Sequence, residues 1–135
     1  MATLETVQRE IEVILTRQLA SYLAMPIFVV DPVGNMIYYN EPAEELFGMR
    51  FDETGEITVE EWTRTFELTD DAGTVLSTDT VPVGIALAHR RPAHRNFWLR
   101  SKVTPHRRVE LTAVPLIGQE DRFLGVMGIF WEARS

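Results

Sequence analysis

Residues 26 to 48 constrain the fold more than any other part of the chain. Pro26-Ile27-Phe28-Val29-Val30 is a short, apolar, β-rich run, Asp31-Pro32-Val33-Gly34-Asn35 interrupts it, and Met36-Ile37-Tyr38-Tyr39 resumes it. Pro32 fixes φ early in the turn, Gly34 permits a positive φ, and the Asp31 carboxylate is placed to accept bonds from the turn's own amides. Asn40 then stands at an N-cap position ahead of Glu41-Pro42-Ala43-Glu44-Glu45-Leu46-Phe47, and Gly48 is a helix stop. The expectation is strand, tight turn, strand and capped short helix, with Asn40 structural rather than ligand-binding.

The flanking segments extend this pattern. Leu4, Val7, Ile11, Ile14, Leu15, Leu19 and Tyr22 recur at steps of three and four, which predicts an amphipathic helix over residues 1–25. Such a stripe fits either a helix packed on its own domain's core or a self-association seam; its first steps match an a/d pattern, and these seven residues are the expected dimer contact. Val59 to Phe66 reads as a short helix, Leu68 to Gly73 as a turn, and Val81 to His89 as a helix capped by Thr80, with Pro82 tolerated in its first turn. Asn96–Arg100, Arg108–Ile117 and Phe123–Trp131 read as three strands of an antiparallel meander. The sum is an α+β domain, residues 26–135, with helices on one side of the sheet.

Composition narrows the chemistry. The chain has 135 residues, 45% of them hydrophobic and 24% charged, enough for one core. It has no cysteine, which removes disulfides, thiolate metal sites, a cysteine nucleophile and a cysteinyl photo-adduct. No apolar run reaches the ~20 residues of a membrane span, so the expected compartment is the cytoplasm, with no membrane partner. A net charge of −7 argues against nucleic acid, although Phe97 and Trp98 beside Arg95 and Arg100 have the residue types that stack bases. Glu41 to Asp71 holds eleven carboxylates against Arg50 and Arg64, a net of −9, whereas Thr80 to Val109 holds six arginines and Lys102 with no carboxylate, a net of +7. Either the two segments pair with each other, or the basic one docks an acidic partner. Phosphate-loop, dinucleotide-binding, zinc-protease and serine-hydrolase motifs are all missing, so no enzyme is expected. His89, His94 and His106 lie in the basic stretch, which disfavours a metal ion.

The order of these elements resembles the PAS sensor family. The resemblance is carried by Ile27 to Gly48, by Leu68 to Gly73 (LTDDAG), by Val81 to Pro92 (VPVGIALAHRRP) and by Val109 to Glu132. It implies a five-stranded antiparallel sheet of order 2-1-5-4-3, short helices on one face, and an extra N-terminal helix that joins dimers. It also implies a regulatory sensor or interaction domain in signal transduction, binding a small ligand or a partner and relaying the change through a homodimer, with an effector protein as a possible further partner. Two alternatives stand beside it: a haem- or flavin-bearing redox or light sensor, and a pure interaction module with a filled core. The cofactor is left open. The family's haem-ligating position falls near Asp79 rather than on a histidine, and its Asn-Cys-Arg-Phe-Leu-Gln flavin word is missing. Candidate pocket residues are Phe28, Leu46, Trp62, Phe66, Ile85, Trp98, Leu111 and Met127.

Overall fold

A computed structural model of the chain describes residues 25–101 and 106–133. The N-terminal residues proposed for dimer contact, Leu4 through Tyr22, lie outside the described residues. Within them the order is β1 (Ile27–Val30), β2 (Met36–Tyr39), α1 (Glu41–Phe47), α2 (Phe51–Thr54), α3 (Val59–Thr65), β3 (Phe66–Thr69), α4 (Pro82–His89), β4 (Ala93–Ser101), β5 (Arg107–Ile117) and β6 (Phe123–Glu132). Short 3-10 turns at Thr78–Thr80 and Gln119–Asp121 complete the path.

The opening unit forms as its residue types dictate. The Gly34 amide donates to the Asp31 carbonyl at 3.0 Å, and Asp31 Oδ1 accepts from the amides of Val33 and Asn35 at 3.1 and 2.9 Å. Gly34 takes φ +98°, a conformation that a side chain would oppose. The same device recurs at Asp70, whose Oδ1 accepts from the amides of Ala72 and Thr74, both at 2.9 Å, while the Gly73 amide donates to the Asp70 carbonyl at 3.0 Å.

The sheet has six strands, in the order β2-β1-β6-β5-β4-β3, all neighbours antiparallel. This corrects the expectation of five. The added strand is β3, where the sequence predicts a helix end at Phe66 and a turn beginning at Leu68. A second arm follows the Asp70 turn, but no strand forms there: it makes a Thr69–Val75 bridge, a Leu76 amide bond to the Leu68 carbonyl and an Asp70 amide bond to the Thr74 carbonyl. What makes Phe66–Thr69 a strand is its other edge, which pairs with β4, Phe66 opposite Ser101 and Thr69 opposite Trp98. In that ladder Glu67 stands opposite Arg100, with 4.0 Å between their charged groups, and Asp71 lies 3.7 Å from Arg108 Nε. The acidic and basic segments thus solvate each other, at least in part. Exposed pairs of this kind contribute little. Glu67→Lys, which sets like charges across the ladder, is expected to cost under about 1 kcal/mol at low salt and nearly nothing in 1 M NaCl, read by urea unfolding.

The start of α4 is also corrected. Thr80 belongs to the preceding 3-10 turn and Val81 occupies the N-cap position without a side-chain cap bond, Pro82 being the first helical residue. Val83 and Ala86 face the core, with Leu87 packed against it. The helices lie over one face of the sheet, to which β1 gives Phe28 and Val30, β4 gives Phe97 and Leu99, β5 gives Val109, Leu111 and Ala113, and β6 gives Val126 and Phe130. The opposite face carries Ile27, Val29, Val114, Met127 and Ile129, placed together by the pairs Ile27–Ile129, Val29–Met127 and Val114–Met127.

Candidate functional site

A cavity of about 60 Å³ lies between the helices and the sheet. Its wall takes one or two residues from each surrounding element: Phe28 of β1, Met36 of β2, Phe47 of α1, Trp62 of α3, Phe66 and Leu68 of β3, Val81 and Val83 around the start of α4, and Leu99 of β4. Every wall side chain is hydrocarbon, aromatic or thioether except for the Trp62 indole N–H. That group donates to the Gly34 carbonyl at 2.7 Å, so it is already satisfied.

Four phenylalanine rings explain why the cavity is small. Phe47 stacks on Phe130 at 5.1 Å and 21°, and meets Phe66 at 4.9 Å. Phe28 lies 5.7 Å from Phe130 and 6.3 Å from Phe47. Phe28 also sits directly over Gly128, its partner in the β1–β6 ladder, where a Cβ would fall less than 3.0 Å from three ring carbons. Gly128 therefore gives the ring its seat, and the rings occupy the middle of the core. Tyr39 adds edge contacts to Phe47 and Phe51 at 5.2 and 5.1 Å. Burial pushes its phenol above the ordinary 10.0, the hydroxyl bond to Thr54 opposes that rise, and Glu44 and Glu53 add to it. The hydroxyl accordingly stays protonated at neutral pH.

Of the eight candidate pocket residues, Phe28, Trp62 and Phe66 line the cavity. Leu46 and Leu111 are buried in the core but off the cavity wall, and Ile85 is half-buried outside the core cluster. Trp98 and Met127 belong to the other face of the sheet. Trp98 pairs with Arg108, donates its indole N–H to Asp71 Oδ1 at 2.9 Å and packs on His106 at 4.8 Å. The wall residues that sequence reading passes over are Met36, Phe47, Leu68, Val81, Val83 and Leu99. For Leu99 a signal exists, since Phe97 and Leu99 share a parity that excludes Trp98. Asn40, read as a cap, is one: Oδ1 accepts from the Ala43 amide at 3.1 Å and from the Ile27 amide at 2.9 Å, and Nδ2 donates to the Met25 carbonyl at 2.9 Å.

The residues present do not fit haem or flavin. His89, His94 and His106 are all exposed, as is Asp79, and none of the four is on the cavity wall. No charged or unpaired polar group in that wall is available to anchor a propionate, a phosphate or a polar ring edge. Small-molecule sites usually run to roughly 300–1,000 Å³, at least about fivefold more space than here. Among the described residues no cluster of three or more metal-ligating side chains occurs, and no helix is long and apolar enough to cross a membrane.

No family model matches the sequence, and no curated protein matches it. Solved structures do match. The PAS domain of Bordetella pertussis BvgS superposes with a TM-score of 0.63 at 18% identity, covering 92% of this chain and 87% of that one. The PAS domain of nitrogen regulation protein NR(II) from Vibrio parahaemolyticus gives 0.57 at 14% identity, over 88% and 98% of the two chains. The LOV protein of Rhodobacter sphaeroides gives 0.69 at 13% identity, over 90% and 67%. With its antiparallel sheet, short helices on one face and an apolar cavity between them, the chain has the PAS fold.

Proposed function

We propose that this chain is a regulatory PAS-type domain of the cytoplasm, without catalysis of its own, that senses a small ligand or partner and relays the change through a homodimer. The observation that carries this reading is the apolar face of the sheet turned away from the helices. Ile27 and Val29 are 0% and 1% exposed there, beside Met127 and Ile129 of β6 and Val114 of β5. Met25, where residues 1–24 join, leads directly into β1. In this reading the sequence stripe of Leu4, Val7, Ile11, Ile14, Leu15, Leu19 and Tyr22 is the dimer seam, packing against a second copy of itself.

Relay requires that the signal favour one dimer geometry over another, since equal affinity for both would shift nothing. The neighbouring LOV structures raise a flavin-bearing reading, but the apolar wall and small volume of the cavity favour a sensor without haem or flavin. Purified full chain is expected to show no visible absorbance after supplementation with haem or flavin and removal of the excess, and a stoichiometric chromophore would overturn that part. Light scattering tests the dimer. The full chain is expected at twice the monomer mass, and both deletion of residues 1–22 and Ile11→Asp are expected to give monomer; an unchanged mass in both would refute the seam.

A further inference from the structure

We propose that the corner formed by the end of α4 and the β5–β6 hairpin docks a carboxylate-rich segment of a partner protein, with an apolar residue of that segment seated on Ile117. The proposal rests on the reading of this domain as one that senses a partner, and it names the partner's chemistry and the place of contact. Three observations carry it.

The first is how the basic segment divides. Arg100, Arg107 and Arg108 lie within 4.0 Å of Glu67, Glu132 and Asp71, His94 lies 3.4 Å from Glu110, and Arg95 donates to the Thr80 carbonyl at 3.2 Å. His89, Arg90 and Arg91 are what remains. All three are exposed, and none forms an ion pair with any described residue. The carboxylates nearest along the facing hairpin are Glu120 and Asp121 at its tip, which bound the basic surface on that side.

The second is the backbone of Arg90. It closes α4 in the left-handed region, φ +53°, with its amide bonded to the Ala86 carbonyl at 2.9 Å. Glycine takes that conformation without strain, whereas a side chain opposes it. Here the strained residue carries a guanidinium that lies 4.8 Å over the Phe123 ring. The other described non-glycine residues at positive φ are Glu120 and Asp121, in the turn that leads into Phe123. Strain of this kind collects where a surface does more than fold.

The third is an apolar centre. Ile117 faces Phe123 across the β5–β6 ladder and is 47% exposed. An exposed aliphatic beside an aromatic ring and an arginine has the make-up of an interface anchor. A membrane or a nucleic-acid duplex would present its charge to the whole domain, whose net charge is −7. A short segment feels mainly the charges within a Debye length, about 8–10 Å, which at this corner are cations.

The probe is a short fluorescein-labelled peptide of glutamates and leucines, titrated with the full chain and read by fluorescence anisotropy. Saturable binding is expected, weakened severalfold in 0.5 M NaCl (about half the Debye length of physiological salt) and absent for the glutamine counterpart. Arg91→Glu and Ile117→Ser are each expected to weaken it severalfold. Arg90→Gly removes the guanidinium while relieving the backbone, so it is expected to lose binding with no loss of stability in urea. Arg100→Glu, in the arginine already paired with Glu67, is expected to leave binding unchanged. Equal binding of the glutamine peptide, equal weakening by Arg100→Glu, or tighter binding to phosphatidylserine vesicles than to the peptide would overturn the proposal. Failure of the peptide to bind a chain that still dimerises through residues 1–22 would refute this surface alone. Binding that leaves dimer mass and geometry untouched would count against the relay and leave the surface standing.

Discussion

Asn40→Ala is expected to remove about 3 kcal/mol of stability in urea unfolding, a large share of the roughly 5–15 kcal/mol typical of a domain. The side chain is 2% exposed and holds three backbone groups at once. Loss of the cap on α1 costs about 1 kcal/mol. The Ile27 amide, in a residue with 0% exposure, is left without its side-chain acceptor, and an orphaned buried donor costs about 1–3 kcal/mol. Asn40→Asp keeps the acceptor for Ile27 and Ala43 but loses the donor to the Met25 carbonyl, so about half the loss is expected. A loss below about 1 kcal/mol for the alanine variant would show that water or a backbone shift replaces the missing oxygen. Asn40 thus ties the first turn of α1 to the Met25 carbonyl, two residues ahead of β1.

Gly128→Ala is expected to cost about 2 kcal/mol by overpacking. The added methyl meets the Phe28 ring, and that ring is held among Phe47 and Phe130, with little freedom to retreat. The test is a double-mutant cycle with Phe28→Leu, which removes the obstructing ring. Strong coupling is expected: the second substitution should recover at least about 1 kcal/mol of the first loss. Additive effects would mean that the clash is relieved elsewhere and that Gly128 is not the seat of the ring.

These two residues mark the difference between what can be read in the chain and what cannot. The role of Asn40 is legible because it is local: a cap lies beside its own helix, ahead of Glu41-Pro42-Ala43, and its type and place announce it. The Asp31 turn is legible for the same reason. The role of Gly128 is not, since nothing in Phe123 to Glu132 tells which ring lies over which residue. That run is almost wholly apolar, so no alternation sets its parity. Met127 therefore reads as inward from the sequence, whereas Val126 and Phe130 hold the inward positions. Phe97-Trp98-Leu99 poses the same problem, and there the largest residue points to the wrong face.

By itself, then, the sequence determined the elements whose signals lie within a few residues of the structure they make: the β1 turn, β2, the capped α1 and the long strands of the meander, and with them the class of fold. Tertiary structure alone decided the sixth strand, the inward parity of β4 and β6, and the size of the cavity. Phe66–Thr69 becomes a strand only by pairing with a segment far along the chain, Glu67 against Arg100. The cavity is what remains after four rings from distant elements have packed. Pairing and packing are properties of surfaces in contact, and the order of residues along one segment does not contain the surface it will meet.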